Sequence, residues 1–395
     1  MKVAIFEYAS GGGFIGNQIP HSILSEGYSM LKTATDDFQP AGYDVVSMLD
    51  NRLSSFEDHL NAAEVYDSKP NDIDSSLKRL FSSSDLSLII APETGGVLSN
   101  IVSLAESYSR VINSSPNSID SVSDKTKLSE MLSRNQIPIP QTRCLSIEEG
   151  FEAAKKVYEE LSTTVIVKPA AGSGCESVCK VNNINELFHF FKKMCGVDSK
   201  DRFIVQEYVE GVPVSVSLIS NGKYAAPISL NRQYISLGSP LDSSCYLGGL
   251  TPYSHPQKDA VFSLARKVVE LFSGLKGYIG VDIIISPSGP IVIEVNPRLT
   301  VSYVGLQRVS RMNLAQVMAL SVKGGDIPSS YEFKGVSVFR KIKREDIRHL
   351  GPDVTILPPA IEIDGEELKY TFALATGADE TEANAKLGIP LSLAN

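Results

Sequence analysis

The chain has 395 residues, of which 43% are hydrophobic and 21% charged, so it can bury the cores of roughly two to four globular domains. Its 37 basic and 46 acidic residues leave a net charge of −9, which argues against a broad nucleic-acid-binding surface. No apolar run approaches the ~18 residues of a membrane-spanning helix, so we expect no membrane association.

The five cysteines show no paired spacing of a metal site or a disulfide framework. The first residues, MKVAIFEYASGGG, predict a strand and a glycine loop rather than a secretory signal. We therefore expect a cytoplasmic protein whose thiols stay reduced and bind no zinc. The cysteines are Cys144, Cys175, Cys179, Cys195 and Cys245.

The first part of the chain alternates apolar strand patterns with helical patterns. Such alternation is typical of a parallel sheet covered on both faces, in which ligands bind beyond the carboxyl ends of the strands. The predicted elements are the strand Lys2–Tyr8, the glycine-rich loop Ala9–Gly16, the helix Ser22–Asp36 and further strands at Tyr43–Leu49 and Leu86–Ala91.

Glu93 follows one of these strands, in the loop APETGG. Its carboxylate is a candidate for holding a cationic amine, and the alternative is an ordinary acid near the start of a helix. The glycines after the first strand lack the G-x-G-x-x-G order of a dinucleotide site.

A lysine opens a helix in the next part of the chain. Ser123 or Asp124 can cap a helix that runs to about Asn135, where the sequence IPIP ends it. Lys125 then lies in the first turn, where the helix dipole disfavours a cation. A positive charge at this place suggests an anionic partner.

A second lysine, Lys168, ends the β-branched strand Thr164–Val167. The small-residue loop Ala170–Ser177 follows, and then a strand pattern at Val178–Val181. A lysine beside such a loop can bind phosphate through its ammonium group and the backbone N–H groups of the loop. The order is not that of the Walker motif. The loop residues expected at the phosphate are Gly172, Ser173 and Gly174.

Phe203–Leu218 predicts two strands around a polar turn. Ile228–Tyr253 is long, polar and glycine-rich, which indicates a functional loop. Arg232 lies in that predicted loop between two amide side chains and is a candidate substrate ligand; the alternative is a structural partner for a nearby acid. Ser254–Leu275 has the apolar face of an amphipathic helix.

The segment Gly280–Arg298 predicts two apolar strands. A turn at Ser286–Pro290 would place Asp282 opposite Glu294, and Asn296 would project from the same face. Two carboxylates and an amide oxygen suit Mg²⁺, which usually shares its coordination shell with nucleotide phosphates and water. The alternative is an ordinary hairpin with solvated charges.

Arg298 follows the hairpin directly and can bind a carboxylate or phosphoryl group through two hydrogen bonds. Val301–Val322 predicts the next helix. The remaining tail, Glu332–Asn395, has two or three strand patterns and a short helix, with no catalytic signature.

Taken together, these segments resemble the ATP-grasp superfamily, in matching chain order over roughly Ser123–Arg298. The resemblance rests on the S-D-K helix start, VKP with its Gly/Ser loop, QEYVEG, and the acid and EVNPR of the hairpin. It implies an α/β protein with an ATP-grasp fold and an N-terminal Rossmann-like parallel-sheet domain. The implied divisions are an N-terminal domain at 1–115, a small subdomain at 116–202, a large subdomain with the metal site at 203–328, and a β-rich extension at 329–395.

The resemblance also implies ATP and Mg²⁺ as cofactors, with two metal ions and Mn²⁺ as the alternative ion. Pro213 stands where the superfamily commonly places an acid for the ribose, so Glu207 or Glu210 is expected to substitute. The implied ATP ligands are Lys125, Lys168, Gly172, Ser173, Gly174, Gln206, Glu207 and Val209, and the implied metal ligands are Asp282, Glu294 and Asn296.

Members that the chain resembles join a carboxylate to an amine through an acyl phosphate. The FEYASGGG, APETGG and NRQYI segments resemble those of the archaeal ligases that join glutamate to tyramine in methanofuran biosynthesis. This resemblance implies two small-molecule substrates, with Arg298 and Arg232 binding the acid and Glu93 meeting the amine. It leaves a homodimer open. The alternatives are a pyrrolysine-type lysine ligase, a dipeptide ligase, a phosphotransferase and an ATP-binding module without turnover.

Overall fold

The computed structural model describes residues 1–68, 72–161, 164–170, 178–194, 202–358, 362–363 and 366–388. Within these ranges no helix combines the length and the apolar character needed to cross a bilayer. The cysteines in the described part of the chain are free thiols, at Cys144, Cys179 and Cys245. The predicted phosphate-loop residues Gly172, Ser173 and Gly174, together with Cys175 and Cys195, lie outside the described residues.

The N-terminal part is built on a five-stranded parallel sheet in the order β3-β2-β1-β4-β5. Its central strands are buried on both faces, because helices cover each side and the strand sequences are continuously apolar. The predicted parallel sheet is therefore confirmed. The elements are β1 (Lys2–Glu7), α1 (His21–Phe38), β2 (Asp44–Asp50), β3 (Glu64–Ser68), α2 (Ile73–Ser82), β4 (Leu86–Ile90), α3 (Val97–Glu106) and β5 (Arg110–Val111).

A four-stranded antiparallel sheet, in the order β6-β9-β7-β8, follows after two helices. The second of these helices begins at Lys125, and the Asp124 carboxylate caps it by accepting hydrogen bonds from the backbone N–H groups of Thr126 (3.0 Å) and Lys127 (3.2 Å). The elements are α4 (Pro116–Ser123), α5 (Lys125–Arg134), β6 (Thr142–Ser146), α6 (Gly150–Leu161), β7 (Val165–Pro169), β8 (Cys179–Val181), α7 (Ile184–Met194) and β9 (Arg202–Glu207).

The rest of the chain forms an eight-stranded sheet in the order β14-β13-β10-β11-β12-β15-β19-β16. Strands on both sides of the predicted boundary at 328 and 329 share this sheet, so no break in the sheet marks that boundary, which stays a prediction. The elements are β10 (Val212–Asn221), β11 (Ala225–Ser236), β12 (Cys245–Thr251), α8 (Lys258–Glu270), β13 (Lys276–Ser286), β14 (Gly289–Asn296), α9 (Ser302–Val309), α10 (Leu314–Val322), β15 (Val336–Lys343), β16 (Thr355–Leu357), β17 (Glu362–Ile363), β18 (Glu366–Glu367), β19 (Tyr370–Gly377) and α11 (Glu380–Leu387).

The prediction of one long loop at Ile228–Tyr253 was wrong, because most of that segment forms β11 and β12. Its glycines serve strand packing: a Cβ on Gly248, whose φ is +120°, would lie 2.1 Å from the carbonyl oxygen of Phe339 in β15. Only glycine allows this close approach of backbone to backbone. Glycine richness therefore indicated the contact between two strands, and not a loop.

The single helix predicted at Val301–Val322 is interrupted, and forms α9 and α10. Ser310 adopts an extended conformation and pairs with Phe333 in an isolated bridge, which ends α9. Asn313 then caps α10 by accepting a hydrogen bond from the backbone N–H of Gln316 at 2.7 Å.

Candidate active site

The hairpin β13–β14 places Asp282 opposite Glu294, as predicted. The pairing of the two strands that produces this alignment differs from the expected one. The strands close in a tighter turn, with Ser286 paired to Gly289, which shifts the pairing by one residue relative to the five-residue turn. A β-bulge at Ile293 then restores the alignment of the two carboxylates. Both Ile293 and Glu294 consequently line the same cavity.

Asp282 accepts two hydrogen bonds from side-chain amides, each at 3.0 Å: from Gln233 Nε2 on β11 and from Asn296 Nδ2 on β14. Burial, and next the like charge of Glu294, raise the pKa of Asp282 to about 7 despite these bonds. The carboxylate is therefore short of positive charge in the ligand-free molecule.

The pKa of Glu294 is shifted in the opposite direction to that of Asp282. Its Oε1 lies 3.0 Å from Nζ of Lys125, whose side chain is 9% exposed at the start of α5. Burial by itself would raise the pKa of Glu294, but Lys125 and Lys168 lower it below its usual value. Lys168, at the end of β7, is itself buried, and desolvation lowers its pKa to about 8. Two lysines from two different elements thus face one carboxylate.

The donor set fits a hard divalent cation such as Mg²⁺. It consists of the carboxylates of Asp282 and Glu294 and the side-chain oxygen of Asn296, and Mg²⁺ takes oxygen ligands and completes its shell with water and phosphate. A cation would also supply the positive charge that Asp282 lacks. In the described ranges no three His, Cys, Asp or Glu side chains cluster as a metal site, so any such ion depends on this mixed set.

The described residues line a cavity of about 1150 Å³ beside the hairpin. Its walls come from the segment between β1 and α1, from β7 and β8 of the small sheet, from β11 and β13 of the large sheet, and from the C-terminal strands β15 and β19. The connection between β9 and β10 also lines it. The lining residues from that connection and its flanks are Gln206, Glu207, Tyr208, Val209 and Pro213.

Arg298 lines the cavity next to the hairpin and pairs with Glu93 of the N-terminal sheet. Nη2 donates a hydrogen bond to Glu93 Oε2 at 3.1 Å, and Nε lies 2.8 Å from Oε1. The second contact is poorly aligned, so Nε and Oε1 are buried without a satisfactory hydrogen bond. Burial opposes the charged form of Arg298, yet Glu93 keeps the pKa of Arg298 above its usual value. The pair is neutral but incompletely satisfied.

Comparison with known proteins gives the family. An ATP-grasp domain model matches residues 122–302, and a pre-ATP-grasp domain model matches residues 43–119. Tyramine–L-glutamate ligase of Methanocaldococcus jannaschii is 29% identical over 341 residues, covering 84% of this chain and 92% of the relative. The enzyme of the same name from Methanocaldococcus fervens is also 29% identical and covers 85% of this chain and 99% of the relative.

Solved structures give the same fold. An ATP-grasp superfamily protein from Archaeoglobus fulgidus has a TM-score of 0.65 at 26% identity, covering 95% of this chain and 99% of that one. N5-carboxyaminoimidazole synthetase from Staphylococcus aureus, complexed with ADP, has a TM-score of 0.72 at 16% identity, covering 100% of this chain and 98% of that one. The chain is an ATP-grasp protein. It belongs among the carboxylate–amine ligases of that superfamily.

Most of the predicted ATP-grasp site residues meet at the one cavity. Nucleotide and metal roles stay predictions, but the placement is clear: Lys168, Gln206, Glu207, Val209, Asp282, Glu294, Asn296 and Arg298 line it. Lys125 reaches the site through its contact with Glu294, and Glu93 reaches it through Arg298. An unexpected result is that Glu93 and Arg298, predicted to bind different substrates, bind each other.

Arg232 is the predicted residue that the structure does not bring to the ATP-grasp cavity. It lies on β11 next to Gln233, whose side chain faces Asp282, and neighbouring strand residues point to opposite faces. Its guanidinium lies 3.9 Å from Glu380 of α11 and 5.6 Å from the ring centre of Tyr253. The geometry therefore favours the alternative reading, a structural partner for a nearby acid.

Sequence reasoning missed much of the cavity wall, including Glu26 on α1 and Lys341 on β15. Lys341 Nζ lies 2.6 Å from Glu26 Oε1 and also donates to Ser22 Oγ. These residues are 315 positions apart, and neither belongs to a motif. Only the folded chain brings them together, so no signal in the sequence could have found them.

Proposed function

We propose that this ATP-grasp ligase joins the γ-carboxylate of L-glutamate to the amine of tyramine, with release of ADP and phosphate. The observation that carries the proposal is the continuity of the cavity, in which the hairpin carboxylates and their lysines stand beside the Arg298–Glu93 pair. The proposed phosphoryl-transfer site and the arginine proposed to bind the carboxylate would thus share one cavity. The choice of substrates is supported by the two relatives that carry the name tyramine–L-glutamate ligase.

The lysines hold the phosphates in this proposal. Lys168, whose pKa burial lowers to about 8, and Lys125, held by Glu294, would balance the charge of the transferred phosphoryl group. Asp282, Glu294 and Asn296 would hold Mg²⁺, which supplies further charge neutralisation when bound. Gln206, Glu207 and Val209 line the part of the cavity assigned to the adenine, and Glu207 would hold the ribose in place of the acid that is missing at Pro213.

Arg298 would bind the reacting carboxylate and then its acyl phosphate. Arg298 lines the cavity, so a substrate carboxylate could bind its guanidinium in competition with Glu93. Sharing Arg298 with the acid would free part of the Glu93 carboxylate. Glu93 would then face the ammonium group of the amine; after that group has lost a proton to solvent, the amine attacks the acyl carbon and displaces phosphate.

ADP release measured with glutamate plus tyramine tests this proposal. Each substrate alone, and aspartate or lysine in place of glutamate, serve as comparisons. We expect turnover only with glutamate and tyramine together, γ-glutamyltyramine by mass spectrometry, and loss of glutamate saturation in Arg298→Ala. The matched control is Arg311→Ala, because Arg311 is 61% exposed and weakly paired. Turnover with lysine and no response to glutamate would reject the proposed substrates and leave the ligase class.

A further inference from the structure

An ion pair lies in the part of the cavity wall where the N-terminal helix α1 meets the C-terminal strand β15. Glu26 comes from α1 and Lys341 from β15, and their charged atoms are 2.6 Å apart. The side chain of Lys341 is 10% exposed and that of Glu26 is 30% exposed, and both line the cavity. We infer that the solvent-exposed part of each side chain faces this cavity, to which the substrates are assigned.

Phe339 and Lys341 lie on the same face of β15, two residues apart. Phe339 is fully buried against Gly305 of α9, whose Cβ would meet its ring at 2.7 Å, and this packing fixes the direction in which Lys341 points. Ser22 accepts a further hydrogen bond from Lys341. Because β15 and α1 are both rigid elements, the two charges are held in place before any substrate arrives.

The cation and anion next to each other here repeat the arrangement at Arg298 and Glu93. The two pairs meet at one cavity, because Glu26, Lys341 and Arg298 line it and Glu93 is paired with Arg298. This group of four residues has two positive and two negative side chains and no net charge. Its charge pattern matches a molecule with a reacting carboxylate at one end and an ammonium and carboxylate at the other.

We propose that Glu26 and Lys341 bind the zwitterionic head of the amino-acid substrate, with Lys341 on the α-carboxylate and Glu26 on the α-ammonium. This inference rests on the proposed function and extends it to regiochemistry. With the head held at the ion pair, the carboxylate that reaches Arg298 and the hairpin is the one on the side chain. The enzyme would therefore activate the γ-carboxylate and leave the α-carboxylate untouched.

Two glutamate analogues separate the two contacts. Glutarate lacks the α-amino group, and 4-aminobutyrate lacks the α-carboxylate, while both keep a carboxylate that can be phosphorylated. Charged hydrogen bonds contribute enough that wild type should prefer glutamate over either analogue on the order of 10- to 100-fold in kcat/KM. Lys341→Met should abolish the preference over 4-aminobutyrate and keep the preference over glutarate. Glu26→Gln should do the reverse.

A uniform loss of activity in the two variants would overturn the proposal. If each variant lowers kcat/KM for glutamate and for both analogues by the same factor, the ion pair only joins α1 to β15, and the proposal is overturned. The double variant Glu26→Lys with Lys341→Glu controls for folding, because it keeps an ion pair at the same place. We expect it to unfold at nearly the wild-type temperature and to lose the preference for glutamate over both analogues.

A thermal-shift series keeps this test separate from the choice of substrates. If wild type releases no ADP with glutamate and tyramine, the proposed substrates fail, and a panel of amino acids is then compared by the unfolding temperature of wild type and of the double variant. An amino acid that stabilises only the wild type supports the head-binding site. The absence of any such amino acid overturns it.

Discussion

Glu294 and Asp282 differ in charge environment although they face each other on one hairpin. Lys125 and Lys168 lower the pKa of Glu294, whereas Asp282 accepts hydrogen bonds from two side-chain amides of the described residues. Burial and the like charge of Glu294 raise the pKa of Asp282 to about 7. A divalent cation held by these residues would favour the charged form of Asp282.

We predict that Glu294→Gln removes ATP turnover and keeps the fold. The amide cannot supply the anionic oxygen expected at the metal, and it leaves Lys125 without its carboxylate, so kcat should fall on the order of 10²-fold or more. ADP release at saturating Mg²⁺ and circular dichroism measure the two properties. Glu332→Gln is the control, since that side chain is 84% exposed. ADP release close to that of wild type would exclude Glu294 as a metal ligand.

The facing carboxylates could be predicted from sequence because strand residues alternate with a period of two. The prediction had the wrong turn and no bulge, and the two errors cancelled at Asp282 and Glu294. Such cancellation is not luck alone: without the bulge Glu294 would pair with Val281 and turn into the apolar core, where an unpaired charge is costly, and the bulge is the local adjustment that avoids this. The size of that adjustment could not be read from the residues.

Besides the ion pair of Glu26, helix α1 makes a second contact with distant elements, through Asp37 near its C-terminal end. Asp37, which is 3% exposed, accepts hydrogen bonds from the backbone N–H of Ala315 in α10 at 3.0 Å, from the Asn313 side chain at 2.9 Å and from the hydroxyl of Tyr303 in α9. One carboxylate thus joins the N-terminal domain to two helices that follow the hairpin. Burial raises its pKa to about 6 in spite of these donors.

This contact predicts a pH-dependent stability. Between about pH 4 and pH 6 the folded chain holds a proton on Asp37 that the unfolded chain has lost, so this residue's contribution is complete below pH 4 and declines as the pH rises to 6. Over this range the contribution of Asp37 to the free energy of unfolding falls by roughly 3 kcal/mol, because its pKa is raised by about two units. The unfolding temperature of wild type minus that of Asp37→Asn should therefore decrease over that range, because only wild type titrates, and stay constant above it.

The control for this prediction is Asp44→Asn, because that carboxylate is 72% exposed and is not among the charges that act on Asp37. It should show no comparable change between pH 4 and pH 6. The opposite result is a wild-type unfolding temperature that rises relative to that of Asp37→Asn as the pH rises. It would mean that the hydrogen bonds outweigh burial, and that the pKa of Asp37 is lowered in the folded chain.

The strand pair β11–β12 shows where prediction from sequence failed at the scale of elements. The segment is polar and contains adjacent glycines, and both are ordinary signs of a loop. In the fold its polar side chains are needed on both faces: Gln233 meets Asp282, and Arg232 meets Glu380. Its glycines are needed against β15. Contacts with strands and helices far along the chain decided the structure, and local propensity could not.

Over the whole molecule, the superfamily could be predicted, because its motifs lie in order between Lys125 and Arg298. The part of the cavity wall where α1, β15 and β19 meet the hairpin could not, because the residues that form it are hundreds of positions apart. The charges of Glu26 and Lys341 are unremarkable in a sequence where 21% of residues are charged. Their proximity is a property of the fold alone.

The continuity of the large sheet has a practical consequence for work with shortened chains. β12 lies between β11 and β15, so cutting the chain after residue 328 would remove its outer neighbour and expose the backbone N–H and C=O groups of Gly248–Thr251 as a new sheet edge. Bare edges recruit other chains and promote aggregation. We expect the truncated protein to sediment as large particles, in contrast to the full chain. A monodisperse truncated protein would show that β12 does not need its partner.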